Sequence, residues 1–261
     1  MIFSVNGKLV APDEARIDPG DRGFTLGDGL YETIRVRNGA PLRLERHFDR
    51  LARGLALLGL PPVDPASIGD SIRAVLTANA LEEAAVRITV SRGPAARGIA
   101  PEPDPRPTIV IGVSPYLAPA PVSLITATVT RRNEHSPLSR VKSTNCLDAI
   151  LARIEASDRG AGEALLLNTA GRVAEATIAN LFAVVDGALL TPPIADGALP
   201  GIMRGAVIEG MGAREQSLTP SDLAGAEELF LTSSLGIRPV TILDGRPLRR
   251  GRAGAQATML A

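Results

Sequence analysis

Apolar positions in the first third of the chain recur with two different periods. Leu44, Phe48, Leu51, Leu55 and Leu58 fall three or four residues apart and predict a helix over about 43–59. Ile68, Ile72, Val75 and Leu76 predict a second helix over about 65–80. Between and around them lie short runs with turn signals at their ends. MIFSVNGKLV predicts a hairpin about Asn6-Gly7, and a glycine-rich loop leads into a strand at Tyr31–Arg37 that ends on Asn38-Gly39. Two more strands are predicted at Val86–Ser91 and Thr108–Val113.

Ser114 to Pro121 holds three prolines in eight residues, which breaks helix and strand alike. The expected organisation is therefore an N-terminal domain over 1–114, a linker over 115–121 and a second domain over 122–261. The second half predicts strands near 123–130, 163–168, 180–186, 228–233 and 237–243, with helices near 145–157 and 201–212. Both halves mix the two element types, so the fold class is α+β. No internal repeat or low-complexity tail is present.

Composition narrows the function. The 28 basic and 28 acidic side chains cancel, which offers no attraction to nucleic acid or to a charged membrane surface. Aromatic residues are only 3%, too few for a base-stacking platform. No apolar run is long enough to span a bilayer, and the N-terminus lacks the pattern of a signal peptide. The single cysteine, Cys146, and two distant histidines, His47 and His135, exclude an intramolecular disulfide and argue against a metal site. A cytoplasmic location is expected.

Only two of the 28 basic residues are lysines, Lys8 and Lys142. Where arginine serves nearly every other need, a remaining lysine points to chemistry that arginine cannot do. Lysine can lose its proton and attack a carbonyl; arginine stays charged. Lys8 follows the hairpin turn and reads as an exposed residue. Lys142 lies in Val141-Lys142-Ser143-Thr144-Asn145, just before a helix carrying Leu147, Ile150, Leu151 and Ile154. Glu175 is set among small and apolar residues; it is either a carboxylate for a pyridinium nitrogen or an exposed turn acid. Leu199-Pro200-Gly201 precedes a helix whose first N–H groups suit a phosphate, although such turns also occur without one. Thr232 and Ser233 offer hydroxyls at a strand end, and Arg46, off the apolar face of the first helix, can reach a phosphate or water.

Taken in order, LGDGLYETIRV, LERHFDRL, SRGPAARG, VKSTNCL, GRVAEATIANLF, LPGIMR and LTSSLGIRPV resemble the fold-type IV enzymes that use pyridoxal 5'-phosphate (PLP), the class IV aminotransferases. The resemblance covers nearly the whole chain. It implies a smaller N-terminal α/β domain, a larger C-terminal domain with a mixed, barrel-like sheet, and a homodimer with active sites near the interface. It implies that Lys142 forms the Schiff base and shuttles the proton, and that Glu175 pairs with the pyridine nitrogen. Arg46, the N–H groups of Ile202 and Met203, and the hydroxyl of Thr232 or Ser233 would hold the phosphate. Tyr31, Arg87 and Arg97 would face the substrate.

Within that family the features diverge. Lys-x-x-Asn-x-Leu is similar to the D-amino-acid aminotransferases and the aminodeoxychorismate lyases, whereas branched-chain aminotransferases place a Gly-Asn-Tyr segment after the lysine. Ile99 stands where the D-amino-acid enzymes have a histidine. SRG through Arg97-Gly98, and Arg87, resemble the lyases; Tyr31-Glu32 resembles the aminotransferases. The expected activity is transfer of an amino group from an amino acid, D-amino acids included, or from an amine to a keto acid. The alternatives are an aminodeoxychorismate lyase, which releases pyruvate and 4-aminobenzoate, and a branched-chain aminotransferase.

Overall fold

The computed structural model describes residues 1–248 and 252–261. The chain divides into two compact units, Met1–Leu117 with Val141–Asn145, and Ala118–Arg140 with Cys146–Ala261.

In the first unit, strands Phe3–Val5 (β1), Lys8–Val10 (β2), Gly29–Arg37 (β3), Ala40–Pro41 (β4), Ala84–Ser91 (β5) and Thr108–Pro115 (β6) form an antiparallel sheet ordered β2-β1-β6-β5-β3-β4. Asn6 and Gly7 take φ of 50° and 81°, the left-handed pair that a two-residue hairpin needs. Helices Arg22–Leu26 (α1), Leu44–Leu57 (α2) and Pro65–Ala78 (α3) complete the unit. Asp64 caps α3 by accepting from the N–H groups of Ala66 and Ser67.

The alternation along β3 and β5 decides which face is core. Leu30, Ile34 and Val36 lie in register with Val90, Val86 and Ala84 and pack with Leu51, Leu55, Ile68 and Ile72 of the helices. Each such side chain contributes about 1.5–3 kcal/mol. The opposite face carries Tyr31, Thr33, Arg87 and Thr89.

In the second unit, strands Val122–Thr126 (β7), Glu163–Leu167 (β8), Val173–Ala176 (β9), Asn180–Val185 (β10), Ala188–Thr191 (β11), Arg214–Glu215 (β12), Glu228–Ser233 (β13) and Gly236–Leu243 (β14) run β12-β11-β10-β13-β14-β7-β8-β9, with Arg246–Pro247 (β15) beside β14. β7 is parallel to both β14 and β8, and β11 is parallel to β12; the other pairs are antiparallel. A tight turn from β9, closed by Ala176 N–H donating to Ala179 O at 2.8 Å, leads back into β10, so the sheet curls into a barrel-like form. This mixed, curled sheet is the one expected for the C-terminal half. Helices Leu147–Asp158 (α4), Ile202–Met211 (α5), Pro220–Gly225 (α6) and Arg252–Thr258 (α7) accompany it. Met203 and Val207 of α5 and Ala257 of α7 pack with Phe182 and Phe230, whose rings stack at 5.2 Å.

Several elements differ from the periodicity reading. The strand predicted to reach residue 130 stops at Thr126, because the Glu155 carboxylate takes the N–H groups of Thr128 and Val129. The glycine-rich loop contains α1, started by the Asp21 side chain and ended by left-handed Gly27. β9, β11, α6 and α7 are too short for periodicity to reveal. Helix α4 turns its apolar stripe outward: Leu147, Ile150, Leu151 and Ile154 are 46–73% exposed. It packs inward on Ala152 and Ala156, against Ile125, Ala164 and Leu166.

Candidate active site

Strand pairing sets the position of Lys142. In the first unit, β4 pairs only with Val36 and Arg37 of β3. Residues 142–144 pair with the start of that strand: Tyr31 N–H donates to Lys142 O at 2.9 Å, and Thr144 N–H donates to Gly29 O at 2.9 Å. The Thr144 hydroxyl donates to Gly27 O at 2.6 Å. Antiparallel pairing sends the Tyr31 and Lys142 side chains to the same face. Lys142 Nζ lies 3.3 Å from the Tyr31 hydroxyl and 4.3 Å from the ring centre. The Arg87 guanidinium, two residues along β5 from Thr89, the partner of Tyr31, lies 3.8 Å from the same ring centre.

The other face of β3 holds a buried charge network. Glu32 accepts from Arg50 Nε at 2.8 Å and from a terminal Arg50 nitrogen at 2.6 Å, and its other neighbour is His47 Nδ1 at 2.7 Å. Burial pushes the Glu32 carboxyl up, but Arg50 and His47 more than offset this and hold it below the usual carboxylate range. Burial also depresses His47, so its imidazole is neutral at pH 7. Arg46 lies on the exposed side of α2, one residue from His47, and Arg97 is exposed on the loop after β5.

The second unit gathers the other candidates. Glu175 sits on β9 and is 8% exposed, so it is not an exposed turn acid. One carboxylate oxygen lies 3.1 Å from an Arg132 terminal nitrogen. The other accepts from Leu199 N–H at 2.9 Å and from Asn180 Nδ2 at 3.3 Å. Asn180 also donates to Leu199 O at 2.9 Å and stands opposite Thr232 in the β10–β13 pairing. A Cβ on Gly201 would run into the Asn180 side chain, so the turn before α5 requires glycine. Ile202 and Met203 open α5 without a side-chain cap, leaving first-turn N–H groups that the helix itself cannot satisfy. The Thr232 hydroxyl is buried and has no hydrogen-bond partner among the described residues, while the Ser233 hydroxyl accepts from Leu235 N–H at 3.2 Å. Asn180 thus ties Glu175, the Leu199–Gly201 turn and Thr232 together. Hydropathy singles out neither Asn180 nor Arg132. A polar Asn180 opening an otherwise apolar strand is a signal for the first; nothing separates Arg132 from its neighbour Arg131.

A family model described as amino-transferase class IV matches residues 29–243. The chain belongs to the class IV aminotransferases. This family uses PLP. A putative branched-chain-amino-acid aminotransferase of Methanocaldococcus jannaschii is 36% identical over 97% of this chain and 92% of that protein. A D-alanine aminotransferase of Staphylococcus aureus is 32% identical over 96% of this chain and 92% of its own. The crystal structure of a putative 4-amino-4-deoxychorismate lyase from Legionella pneumophila matches with a TM-score of 0.88 at 32% identity, over 95% of each chain. The Asn145-Cys146 departure therefore does not separate this class IV aminotransferase from proteins bearing the branched-chain name. Among the described residues, no helix is long and apolar enough to cross a membrane.

Proposed function

We propose that this chain transfers an amino group from an amino acid to a 2-oxo acid, with Lys142 bonding PLP and moving the proton. The observation that carries the reading is the placement of Lys142 Nζ 3.3 Å from the Tyr31 hydroxyl on the sheet face that also presents Arg87. Bound PLP supplies an electron sink for the charge left when a proton leaves the amino acid's α-carbon.

The residues present fit that group. A buried hydroxyl without a partner is costly, and Thr232 carries one. With the N–H groups of Ile202 and Met203 it offers donors suited to a phosphate. Glu175 is held by an ion pair with Arg132 and by hydrogen bonds from Leu199 N–H and Asn180 Nδ2, so its buried charge is compensated and its orientation fixed for a pyridine nitrogen. Arg46 is the further phosphate candidate on family position. Lys142 takes and returns the proton, and Tyr31 orients its amine. Arg87 and Arg97 are the cations assigned to the substrate carboxylates.

The deciding assay supplies the PLP-loaded enzyme with 2-oxoglutarate and, in separate reactions, D-alanine, L-leucine and L-valine. Glutamate should form with at least one donor. Release of 4-aminobenzoate and pyruvate from aminodeoxychorismate, with no glutamate from any donor, overturns the reading in favour of a lyase.

The homodimer implied by the family has a candidate contact surface in α4. Leu147, Ile150, Leu151 and Ile154 form one stripe, and a two-fold axis lets identical stripes cover each other. Leu151→Glu combined with Ile154→Arg should halve the mass measured by light scattering. A wild type already monomeric at micromolar concentration sinks the dimer.

A further inference from the structure

Three charged residues are clustered at low exposure beside the loop that carries Arg97. Arg22 and Arg92 are 5% and 6% exposed, and both pair with Asp28. Arg22 Nε donates to an Asp28 oxygen at 2.9 Å, and Arg92 Nε donates to the same oxygen at 2.7 Å. One carboxylate for two guanidiniums leaves donors to spare. Arg92 directs one to Leu58 O, at 2.7 Å, beyond the end of α2. Arg22 directs its two terminal nitrogens to Gly98 O and Ile99 O, both at 2.8 Å. These are the carbonyls of the two residues after Arg97.

The surrounding backbone makes this a clasp. Arg22 N–H donates to Gly93 O at 2.9 Å, and Arg92 N–H donates to Asp28 O at 3.0 Å. The segment 20–28 and the loop after β5 are therefore joined at main-chain and side-chain level. Residues 96–100 are exposed and form no strand or helix. Gly98 takes a φ of 146°, a region with little intrinsic preference to hold the loop in place. The fork of Arg22 holds it instead, through charge-assisted bonds to carbonyls. Asp28, next to β3, fixes the fork.

We propose that Arg22, Asp28 and Arg92 are positioning residues that set where Arg97 stands, and through it control recognition of the substrate's carboxylate. This rests on the assignment of Arg97 to that carboxylate. The motifs Asp-Arg-Gly, Gly-Asp-Gly and Ser-Arg-Gly, otherwise unexplained by the chemistry, supply the three charges.

The test uses the PLP-loaded enzyme and the amino donor it turns over best. Arg22→Lys keeps a cation for Asp28 but cannot fork to two carbonyls. It should raise KM about tenfold, the equivalent of one lost charge-assisted hydrogen bond, with kcat within about twofold. Trypsin should cut after Arg97 several times faster than in wild type. Because Arg22 acts through Arg97, adding Arg22→Lys to Arg97→Ala should leave KM within about twofold of the single Arg97→Ala variant. Additive effects, or an unchanged KM in Arg22→Lys where Arg97→Ala raises it, overturn the inference. If Arg97→Ala leaves KM unchanged, the assignment of Arg97 and the recognition role both fall, while faster cleavage still supports the clasp. Asp28→Asn should reproduce Arg22→Lys; should it unfold, Arg22→Lys with an unchanged melting temperature is the variant that decides.

Discussion

Lys142→Ala should lower turnover by at least about a thousandfold and remove the near-visible absorbance of the PLP-loaded protein. The size follows from the two roles proposed for one atom, bonding the cofactor and moving the proton, the second alone accounting for about 10²–10⁴ in rate. No other lysine can substitute, since Lys8 is exposed on β2 and is the only other one. Lys142→Arg should fare no better, because a guanidinium holds its proton and forms no imine. Absorption spectra of wild type and both variants after incubation with PLP, followed by removal of free cofactor, make the comparison. A variant that keeps the wild-type band would remove Lys142 from the cofactor. The pairing of residues 142–144 with β3 uses main-chain groups, so the loss should come without a large change in melting temperature.

The second large effect is on stability. Glu32→Gln should destabilise the first unit by about 3–5 kcal/mol at pH 7, because it removes the carboxylate charge paired with the buried Arg50 guanidinium. Converting Glu32, His47 and Arg50 together to apolar residues of similar volume should cost much less, since the desolvation of the two charges and of the neutral imidazole disappears with them. Urea unfolding of the two variants separates these cases. The wild type also has a defined acid weakness. Folding lowers the His47 pKa from its ordinary 6.5, so stability present above pH 6.5 declines as pH falls through the folded value. Folding lowers the Glu32 pKa from 4.5, which adds a second decline below about pH 4.5. In Glu32→Gln the lower decline should be smaller, since the other carboxylates held below their ordinary values, Asp28, Glu134 and Glu155 among them, remain. A variant with the same midpoint as wild type at pH 7 would show that the network contributes nothing.

The same network shows what was legible in the chain. Periodicity located α2, α3 and most of the longer strands, because each buries one face against the other. Glu32 alternates with Leu30, Ile34 and Val36, so the period of β3 places it on the core face, where a carboxylate needs partners. His47, Arg50, Leu51 and Gly54 share the inner side of α2, which identifies those partners. The strand holding Glu175 is four residues long and buried on both faces, so it has no alternation to detect. The stripe on α4 has the right spacing for a core yet faces outward, because spacing reports an apolar face and not what covers it. Lys142 was visible as a chemical type. Its orientation depends on a strand pairing 111 residues away, which no local pattern encodes.

That pairing has a consequence for the order of synthesis. The residues that finish the edge of β3 emerge from the ribosome after Ala118–Arg140, a stretch that belongs to the other unit. Until Val141–Asn145 arrive, Gly29 and Tyr31 present unpaired main-chain groups at the start of β3, the kind of edge on which nascent chains stick to one another. Lys142, proposed here to carry the chemistry, is thus among the last residues to close the first unit. A nascent chain cannot complete this sheet without already holding the Lys142 amine beside Tyr31.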